Sequence, residues 1–403
     1  MTDDDRDRIP GPSDDGVRRE PSPAPDEEAT RHSGAPPEAA HDAPTMGAAR
    51  AGASRSSAAS AAIPDSIGEY RILGKLGEGG MGVVYEAEQR DPRRVVALKV
   101  IRGGAFVDDD RVRMFQREVE TLARLTHPNI GAIYESGRTE DGQHFFAMEL
   151  VRGSTLSAHL ATRPPVTAPG ELEQRLRLFA KLASAVHHAH QRGVIHRDLK
   201  PSNIIVIEDT EARAAGAQSA TRTVTPELKI LDFGLARITD DDVRAASMIT
   251  EVGVIKGTLP YMSPEQARGD GDAIDVRTDV YALGIILYEM IAGQRPYDVL
   301  KASLIEAVRV ICEEPPRSVA LSWGGSRRLD PDVETIIGKA LEKEPDRRYA
   351  SAAALADDVS RFLDSEPIQA RPPSAAYQVR KFAKRHRPIV AGAGIAVASL
   401  VVA

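Results

Sequence analysis

Cysteine and aromatic residues are scarce in this sequence. A single cysteine, Cys312, stands among 403 residues, and Phe, Trp and Tyr together make up 4%. One thiol excludes an intramolecular disulfide framework and a four-thiolate metal site. Basic residues are also in the minority, with 52 Lys and Arg against 59 Asp and Glu. A nucleic-acid partner bound by a basic face is therefore not expected.

The first part of the chain lacks lysine and aromatic side chains altogether. Residues 1–66 hold thirteen acids against seven arginines and nine of the 27 prolines, and no Phe, Tyr or Trp precedes Tyr70. Such a segment buries too little apolar surface to offset the loss of chain entropy. Residues 1–66 are therefore predicted to be a disordered acidic tail. Because no apolar run follows the charged start, a secretory signal is not expected.

The other end of the chain lacks acids and then lacks charge. Residues 371–403 contain six basic residues and no acid, and the 16 residues from 388 to 403 are uncharged. A bilayer span needs about 20 apolar residues, so two alternatives compete: a transmembrane helix of a receptor-like protein or of a fragment of one, and a short hydrophobic tail. Positive flanks stay cytoplasmic and favour the first. We expect a basic juxtamembrane segment at 364–387 and a C-terminal hydrophobic, transmembrane helix at 388–403.

Between these ends, strand-like patterns come first and helix-like patterns follow. Short β-branched runs predict strands, and apolar residues at helical spacing predict helices. This order suggests a β-rich lobe followed by an α-rich lobe. The predicted strands are Tyr70–Leu76, Val83–Gln89, Val95–Ile101 and Phe145–Leu150, and the predicted helices are 112–122, 172–186, 276–291, 300–310 and 333–341.

A glycine-rich stretch separates the first two predicted strands. Gly77, Gly79 and Gly82 have the G-x-G-x-x-G spacing. Glycines allow a hairpin to pass close to phosphates and to offer them backbone N–H groups. In dinucleotide-binding folds the same spacing leads into a helix, whereas Val83–Gln89 is predicted to be a strand here. The spacing fits a phosphate-covering hairpin or an ordinary glycine-rich hairpin.

Lys99 lies inside an apolar strand pattern, Val95–Ile101. A buried ammonium is costly without a partner, and a nucleotide phosphate or a carboxylate would serve. Glu118, on the predicted helix 112–122, is the natural carboxylate. The alternative is that Lys99 reaches solvent from a strand edge and that Glu118 is an exposed helix residue.

Two later motifs carry side chains that suit phosphate and metal chemistry. One reads His-Arg-Asp-Leu-Lys-Pro-Ser-Asn over 196–203, and the other reads Asp-Phe-Gly over 232–234. Together they supply two carboxylates, an ammonium and an amide, a set that suits hydroxyl activation with Mg²⁺ and phosphate binding. These residues are Asp198, Lys200, Asn203 and Asp232.

In chain order, these motifs resemble the signature set of protein kinases: a Gly-rich loop, a strand lysine, a catalytic loop, Asp-Phe-Gly and an Ala-Pro-Glu motif, which here reads Ser-Pro-Glu over 263–265. The chain is similar to bacterial serine/threonine kinases of the eukaryotic-like type over about 70–363. The resemblance implies an α+β, two-lobed kinase fold with an N-lobe at 70–151, a C-lobe at 152–363 and ATP between them. The gap between Asn203 and Asp232 is long for the family, so 208–226 is predicted to be an inserted loop.

The resemblance implies roles for residues of the catalytic loop. Asp198 would accept the proton of the substrate hydroxyl or orient that hydroxyl. Lys200 would stabilise the transferring phosphoryl group, and Thr258 would help to position Lys200 and the acceptor. Asn203 and Asp232 would bind Mg²⁺.

It also implies which residues surround ATP. Lys99 would contact the α- and β-phosphates and pair with Glu118, and the backbone of 148–151 would meet the adenine. The residues expected around the nucleotide are Leu76, Gly77, Glu78, Gly79, Gly80, Met81, Gly82, Val83, Val84, Ala97, Lys99, Met148, Glu149 and Val151.

Acceptor choice and regulation are implied in the same way. The Lys-Pro-Ser-Asn run at 200–203 and the segment 257–265 resemble the Ser/Thr branch of the family. Arg197, before the catalytic aspartate, marks kinases switched by activation-loop phosphorylation, because a phosphate there can pair with arginine. Thr250 is the first candidate for autophosphorylation and Ser247 the second, and ordinary loop hydroxyls are the alternative. The resemblance also allows a homodimer for autophosphorylation.

Other polar residues are expected to support the fold. Glu265 resembles the glutamate that pairs with a distant arginine, and Arg348 is its expected partner. Asp279 would brace the catalytic loop from a buried helix. The histidines His187, His188, His190 and His196 could suggest a metal site, but no thiolate or matched carboxylate accompanies them in the sequence, which favours helix packing.

Three functions fit this pattern to different degrees. The leading one is an active Ser/Thr kinase that modifies proteins, anchored in the inner membrane by a single span with its catalytic domain in the cytoplasm. A catalytically silent scaffold is disfavoured because Lys99, Asp198 and Asp232 are all present. A small-molecule phosphotransferase is disfavoured by the Ser-Pro-Glu segment, which forms a protein-substrate platform in the kinases that the chain resembles.

Overall fold

The computed structural model describes the chain between residues 63 and 385 with gaps. Several predictions lie outside it: the tail at 1–62, Gly80 and Met81, Glu118, the insert at 209–225, Ser247 and Thr250, and the segment 388–403. The described residues are 63–79, 82–101, 122–139, 142–208, 226–233, 258–324, 328–372, 374, 377–379, 381 and 385.

A six-stranded antiparallel sheet makes up the first part of the described chain. The strands are β1 (Ser66–Ile67), β2 (Tyr70–Gly79), β3 (Gly82–Gln89), β4 (Arg94–Ile101), β5 (Ile133–Arg138) and β6 (His144–Glu149). They lie in the order β1-β2-β3-β4-β6-β5, so the central strand β4 is hydrogen-bonded to β3 and β6. The predicted strands are confirmed with small shifts of their ends.

Residues on β4 alternate between two apolar clusters, as the two-residue period of a strand requires. Val96, Leu98 and Val100 belong to a cluster within the sheet domain. Ala97 and Ile101 belong to the main core, which continues into the helical part of the molecule. Lys99 therefore shares a face with Ala97 and Ile101, toward the helical part, rather than reaching solvent from an edge.

The rest of the described chain is mostly helical, with a small sheet at its start. Strands β7 (Ser154–Thr155), β8 (Ile204–Ile207) and β9 (Glu227–Ile230) form an antiparallel sheet in that order. The helices are α1 (Leu156–Thr162), α2 (Glu171–His190), α3 (Pro264–Arg268), α4 (Val276–Ala292), α5 (Leu304–Glu313), α6 (Val319–Ser322), α7 (Pro331–Ala340) and α8 (Ala352–Leu363), with single 3-10 turns at Pro201–Asn203, Leu259–Tyr261 and Pro345–Arg347.

Helix α4 lies at the centre of the helical core. Nearly all of its side chains are buried, and it packs against α2, α7 and α8. Gly284 allows the close approach of α7, because a Cβ there would lie 2.9 Å from the Cβ of Ala340 on that helix. The helix predicted for 276–291 is thus confirmed, and it is buried on nearly all sides.

The predicted start of the helix at Leu300 is wrong. Helix α5 begins at Leu304, because the side chain of Ser303 accepts a hydrogen bond from the amide of Glu306 and caps the helix. Leu300 is 39% exposed and lies before this cap. A serine three residues before a glutamate is a start signal, and the apolar pattern alone places the start too early.

The chain after α8 folds back onto the helical part. The carboxylate of Asp332, at the start of α7, is fully buried and lies 2.8 Å from the Tyr377 hydroxyl, 3.1 Å from the Arg371 guanidinium and 2.6 Å from Nζ of Lys381. Asp358 on α8 accepts hydrogen bonds from the amides of 369 and 370. Two basic residues that the sequence assigned to a juxtamembrane segment, Arg371 and Lys381, thus contact a buried carboxylate.

Within the part of the chain that the structure describes, no helix is long and apolar enough to cross a membrane. The hydrophobic helix predicted for 388–403 lies outside that part.

Candidate active site

Lys99 and Asp232 meet in the cleft between the large sheet and the helical part. Nζ of Lys99 lies 2.7 Å from Oδ2 of Asp232, and the two side chains are 8% and 26% exposed. The buried ammonium that the sequence flagged therefore has a carboxylate partner. Its expected partner, Glu118, lies outside the described residues, so that pairing stays a prediction.

The catalytic-loop side chains lie next to one another. Nζ of Lys200 is 2.8 Å from Oδ2 of Asp198 and 2.9 Å from Oγ1 of Thr258. The amide nitrogen of Asn203 donates to the backbone carbonyl of Asp198 at 2.9 Å. Oδ1 of Asp198 is buried and has no hydrogen-bond partner among the described residues. An acceptor of this kind is available to a hydroxyl that enters the cleft.

Asp279 holds the backbone of this loop from α4. Its Oδ2 accepts from the amide of His196 at 2.7 Å and its Oδ1 from the amide of Arg197 at 2.9 Å. Nε2 of His190 on α2 lies 2.8 Å from Oδ2. Burial would raise the pKa of Asp279, but the His190 contact and the backbone amide lower it below its ordinary value. A charged carboxylate is thus maintained beneath the loop.

His190 corrects the interpretation of the histidine cluster. The sequence showed no carboxylate matched to these histidines, yet Asp279 is matched to His190 from 89 positions away in the chain. The pair braces the loop, and among the described residues no group of three or more His, Cys, Asp or Glu could hold a metal ion.

His196 links the loop to the strand that precedes Asp232. It is fully buried, and its Nε2 lies 3.0 Å from the carbonyl oxygen of Leu231 while its Nδ1 accepts from the amide of Asp198 at 3.3 Å. These partners assign a neutral ring with the proton on Nε2. The ring also packs on Phe233 with centroids 4.6 Å apart. The two motifs are thereby held in register.

Two non-glycine residues of the site adopt left-handed backbone conformations. Arg197 has φ 64° and Asp232 has φ 62°, a region that costs energy for residues with a Cβ. At Arg197 the conformation is held by Asp279 on the amide and by Nε2 of Gln266, which donates to the carbonyl at 2.7 Å. The sequence did not single out Gln266, although Ser263 and Gln266 have the spacing of a capping box, and the structure contains that box.

The glycine-rich hairpin joins β2 and β3, with Gly79 opposite Gly82. Gly82 has φ 152°, and a Cβ there would lie 1.9 Å from the carbonyl oxygen of Val100. This glycine is therefore required by the close approach of the hairpin to β4. Added Cβ atoms at Gly77 and Gly79 would meet no atom of the described residues within 4 Å. Those two positions border open space within the described part of the chain, and their contact with phosphates stays a prediction.

An apolar cavity lies behind the end of β6. Its walls include Met148 and Glu149 on β6 and Leu231, Asp232 and Phe233 after β9. The predicted adenine-contacting segment and the predicted metal-binding aspartate thus line one cavity.

Glu265 and Arg348 form a buried ion pair below the site. Nη1 and Nη2 of Arg348 lie 2.7 and 2.8 Å from Oε1 and Oε2 of Glu265. Burial would raise the pKa of Glu265, but Arg348 and Thr278 hold it below its ordinary value. The predicted pair is present, and its side chains are almost completely buried.

The oxygen atoms in the cleft fit a hard divalent cation such as Mg²⁺. The side-chain nitrogen of Asn203 donates to the backbone carbonyl of Asp198, so the side-chain oxygen of Asn203 is left to bind a cation. The backbone amide of Leu231 donates to the backbone carbonyl of Asn203 at 2.8 Å, which places Asn203 beside the residue that precedes Asp232. Carboxylate and amide oxygens, together with phosphates, are ligands that Mg²⁺ accepts.

Comparisons with known proteins agree with this geometry. Residues 70–359 match the family model described as protein kinase domain. The chain is 39% identical over 316 residues to serine/threonine-protein kinase pkn3 of Myxococcus xanthus, covering 76% of this chain and 53% of that protein. It is 35% identical over 311 residues to PknB of Mycobacterium tuberculosis, covering 76% and 45%. It is 33% identical over 301 residues to PrkC of Bacillus subtilis, covering 75% and 41%.

A solved structure has the same fold. The PknI kinase domain of Mycobacterium tuberculosis superposes with a TM-score of 0.52 at 26% identity, covering 73% of this chain and 97% of that domain. The chain spans about half the length of the curated relatives that it matches.

Proposed function

Because this chain belongs to the protein kinase domain family, we propose that it transfers the γ-phosphoryl group of ATP to serine and threonine hydroxyls of proteins. The observation that carries the proposal is the arrangement of Asp198, Lys200 and Thr258, in which one ammonium lies within 2.9 Å of both a carboxylate and a hydroxyl. The free, buried Oδ1 of Asp198 faces no other described partner. A silent scaffold would not need this arrangement.

In the proposed mechanism, Asp198 positions the substrate hydroxyl and accepts its proton. Lys200 places positive charge where the transferring phosphoryl group gains negative charge, and Thr258 holds Lys200 in place. Lys99 supplies a second ammonium from β4. Such positioning and charge stabilisation provide most of the catalysis in phosphoryl transfer.

Asp279 and His190 act beneath the loop. By holding two consecutive backbone amides, Asp279 fixes the direction from which Asp198 approaches the hydroxyl. Asn203 and Asp232 would hold Mg²⁺, which when bound neutralises phosphate charge and orients the group to be transferred.

The Ser/Thr preference is supported by the curated names of the relatives and by the Lys-Pro-Ser-Asn run. The test is incubation of the purified chain with Mg-ATP and a generic protein substrate such as myelin basic protein, followed by mass spectrometry of the phosphorylated residues. We expect phosphoserine and phosphothreonine. Phosphotyrosine alone would overturn the acceptor class, and no phosphoprotein at all would favour the scaffold.

Regulation and anchoring are further proposals. Arg197 lies next to the catalytic aspartate, which supports control by phosphorylation of Thr250 or Ser247. The uncharged run at 388–403, behind six basic residues of the 371–403 segment, supports an inner-membrane anchor with the kinase domain in the cytoplasm. Carbonate extraction of membranes that contain the expressed chain tests the anchor: retention in the pellet supports it, and release of the chain overturns it.

A further inference from the structure

A lysine–glutamate ion pair ties the end of β6 to β9. Nζ of Lys229 on β9 lies 2.8 Å from Oε2 of Glu149, the last residue of β6. The two side chains are 19% and 27% exposed. From this geometry we infer that Lys229 is a positioning residue for ATP, an inference that rests on the proposed function and concerns the same site.

The contact on Glu149 is reinforced by backbone hydrogen bonds. The same Oε2 atom accepts from the amide of Ala132 at 3.3 Å, and the amide of Glu149 donates to the carbonyl of Ala132 at 2.8 Å. Glu149 is thus joined to the segment before β5 through its backbone and side chain, and to β9 through its carboxylate. Its side chain serves to place β6 rather than to meet adenine, which the family resemblance assigns to the backbone here.

Strand β9 is held on both of its edges. Lys229 is opposite Ile205 on β8. On the other edge, the amide of Ile230 donates to the carbonyl of Asn129 at 2.9 Å, and the amide of Gly131 donates to the carbonyl of Ile230 at 2.8 Å. The Lys229 side chain adds a link from this strand to the end of β6. Three residues further along the chain is Asp232.

The pair therefore joins the segment expected to contact adenine to the strand that leads to the aspartate expected to bind the cation. Met148 and Glu149 line the cavity at its β6 wall, and Asp232 lines it after β9. The family resemblance places adenine against the backbone at the end of β6 and the cation beside Asp232, outside this small cavity. A shift of β6 relative to β9 would change the distance between these walls. Lys229 resists that shift through an ion pair that is mostly shielded from solvent, where such pairs keep more of their strength.

The chain supplies a matched control on the same strand. Lys181 of α2 pairs with Glu227 of β9 at 2.7 Å. This pair also joins a lysine and a glutamate and also involves β9, but it does not reach β6. Its side chains are 32% and 62% exposed.

The experiment compares Lys229→Met, Lys229→Arg, Glu149→Gln and Lys181→Met in the full chain. Affinity for Mg-ATP is measured by calorimetry, and KM for ATP and kcat are measured by phosphate transfer. We expect Lys229→Met to raise Kd and KM about fivefold with kcat changed less than about twofold, the signature of lost uniform binding. Lys229→Arg restores most of the affinity, and Lys181→Met leaves it unchanged.

Combining Lys229→Met with Glu149→Gln closes a double-mutant cycle. The carboxamide introduced by Glu149→Gln would still accept from the Ala132 amide, so the cycle isolates the ion pair between Lys229 and Glu149. We expect the double variant to raise Kd by the same factor as Lys229→Met alone. Additive effects, or a Kd for Lys229→Met equal to that for Lys181→Met, would overturn the inference. If Lys229→Met fails to fold, as judged by its thermal melt, Glu149→Gln alone must raise Kd, and an unchanged value then overturns it.

Failure of the proposed function gives a different pattern. If the wild-type chain binds Mg-ATP but transfers no phosphate, the calorimetric comparison still decides the role of Lys229 while the kinase proposal falls. If the wild type transfers phosphate and Lys229→Met binds ATP normally, only the role of Lys229 falls. Absence of ATP binding in the wild type overturns both.

Discussion

The ammonium of Lys200 donates to Oγ1 of Thr258 at 2.9 Å across 58 positions of the chain. This hydrogen bond joins the catalytic loop to the segment that precedes the Ser-Pro-Glu motif. The position of Lys200 therefore depends on the conformation of that segment. A loop that shifts on phosphorylation or substrate binding would thereby act directly on a charge beside Asp198.

Replacement of Thr258 by valine tests this dependence. The variant keeps the shape of the side chain and removes the hydroxyl, and hydrogen bonds to charged groups contribute about 1.5 kcal/mol or more. We expect kcat to fall at least about tenfold and Thr258→Ser to restore it. Thr335→Val, on helix α7, serves as the control and should leave kcat unchanged. Equal kcat values for Thr258→Val and the wild type would contradict the role.

The neighbouring histidines His188 and His190 make a matched pair for testing the contact between His190 and Asp279. His190 contacts the fully buried carboxylate of Asp279, whereas His188 packs against His127 with ring centroids 4.6 Å apart. His190→Leu leaves a buried charge with one donor fewer, so we expect a loss of about 2–3 kcal/mol in the free energy of unfolding. His188→Leu should cost less than about 1 kcal/mol. Urea denaturation measures both, and equal losses would contradict the assignment.

Glu265 predicts a pH dependence with a definite sign. Its pKa in the folded chain lies below the ordinary value of 4.5, so the stability it contributes is present above pH 4.5 and is lost as pH falls through the folded pKa. At neutral pH, Glu265→Gln should be about 3–5 kcal/mol less stable than the wild type, because Arg348 loses its charged partner in a buried site.

Below pH 4.5 that difference should narrow, because the wild-type carboxylate becomes protonated. Urea denaturation of both proteins between pH 7 and pH 3 measures it, and other acids cancel in the comparison. Glu173→Gln, at an exposed position that pairs with Arg177, should show a small and nearly constant difference. A gap for Glu265→Gln that widens on acidification would contradict the sign.

The contacts of Asp332 predict that the segment after α8 stays bound to the helical part of the molecule. Lys381 is 3% exposed and lies against this carboxylate, so trypsin should cut slowly after Lys381 in the wild type. Asp332→Asn weakens the contacts to Lys381 and Arg371, and we expect cleavage there to become about tenfold faster. Asp357→Asn changes an exposed aspartate on α8, and this variant should be cleaved at the same rate as the wild type. Equal rates for all three proteins would show that Asp332 does not hold the segment.

Much of the sheet and most of the helices could be predicted from local pattern. The apolar run Val95–Ile101 identified a strand and drew attention to Lys99, because a buried ammonium needs a partner. The same reasoning applied to Lys229, between Leu228 and Ile230, would have called for a partner, but no motif drew attention to it. Glu149 could not be named as that partner, since the two are 80 positions apart.

The parts of the site that sequence did not predict depend on tertiary contact. The His190–Asp279 contact joins two helices, and its sequence signal is only a histidine among histidines. The contacts of Arg371 and Lys381 with Asp332 were missed because basic residues near a hydrophobic run resemble an exposed, lipid-facing segment. Motifs identify side chains that share a reaction, whereas pairs that only brace those side chains leave little trace in the sequence.

The role proposed for Asp198 is in phosphoryl transfer and not in nucleotide binding. The measurement is γ-phosphate transfer from ATP to a protein substrate by the wild type and by Asp198→Asn, with Kd for Mg-ATP determined for both. We predict that Asp198→Asn binds Mg-ATP with a Kd within about threefold of the wild type and transfers at least about a thousandfold more slowly. Equal transfer rates in the two proteins would contradict the assignment of Asp198 and with it the proposed mechanism.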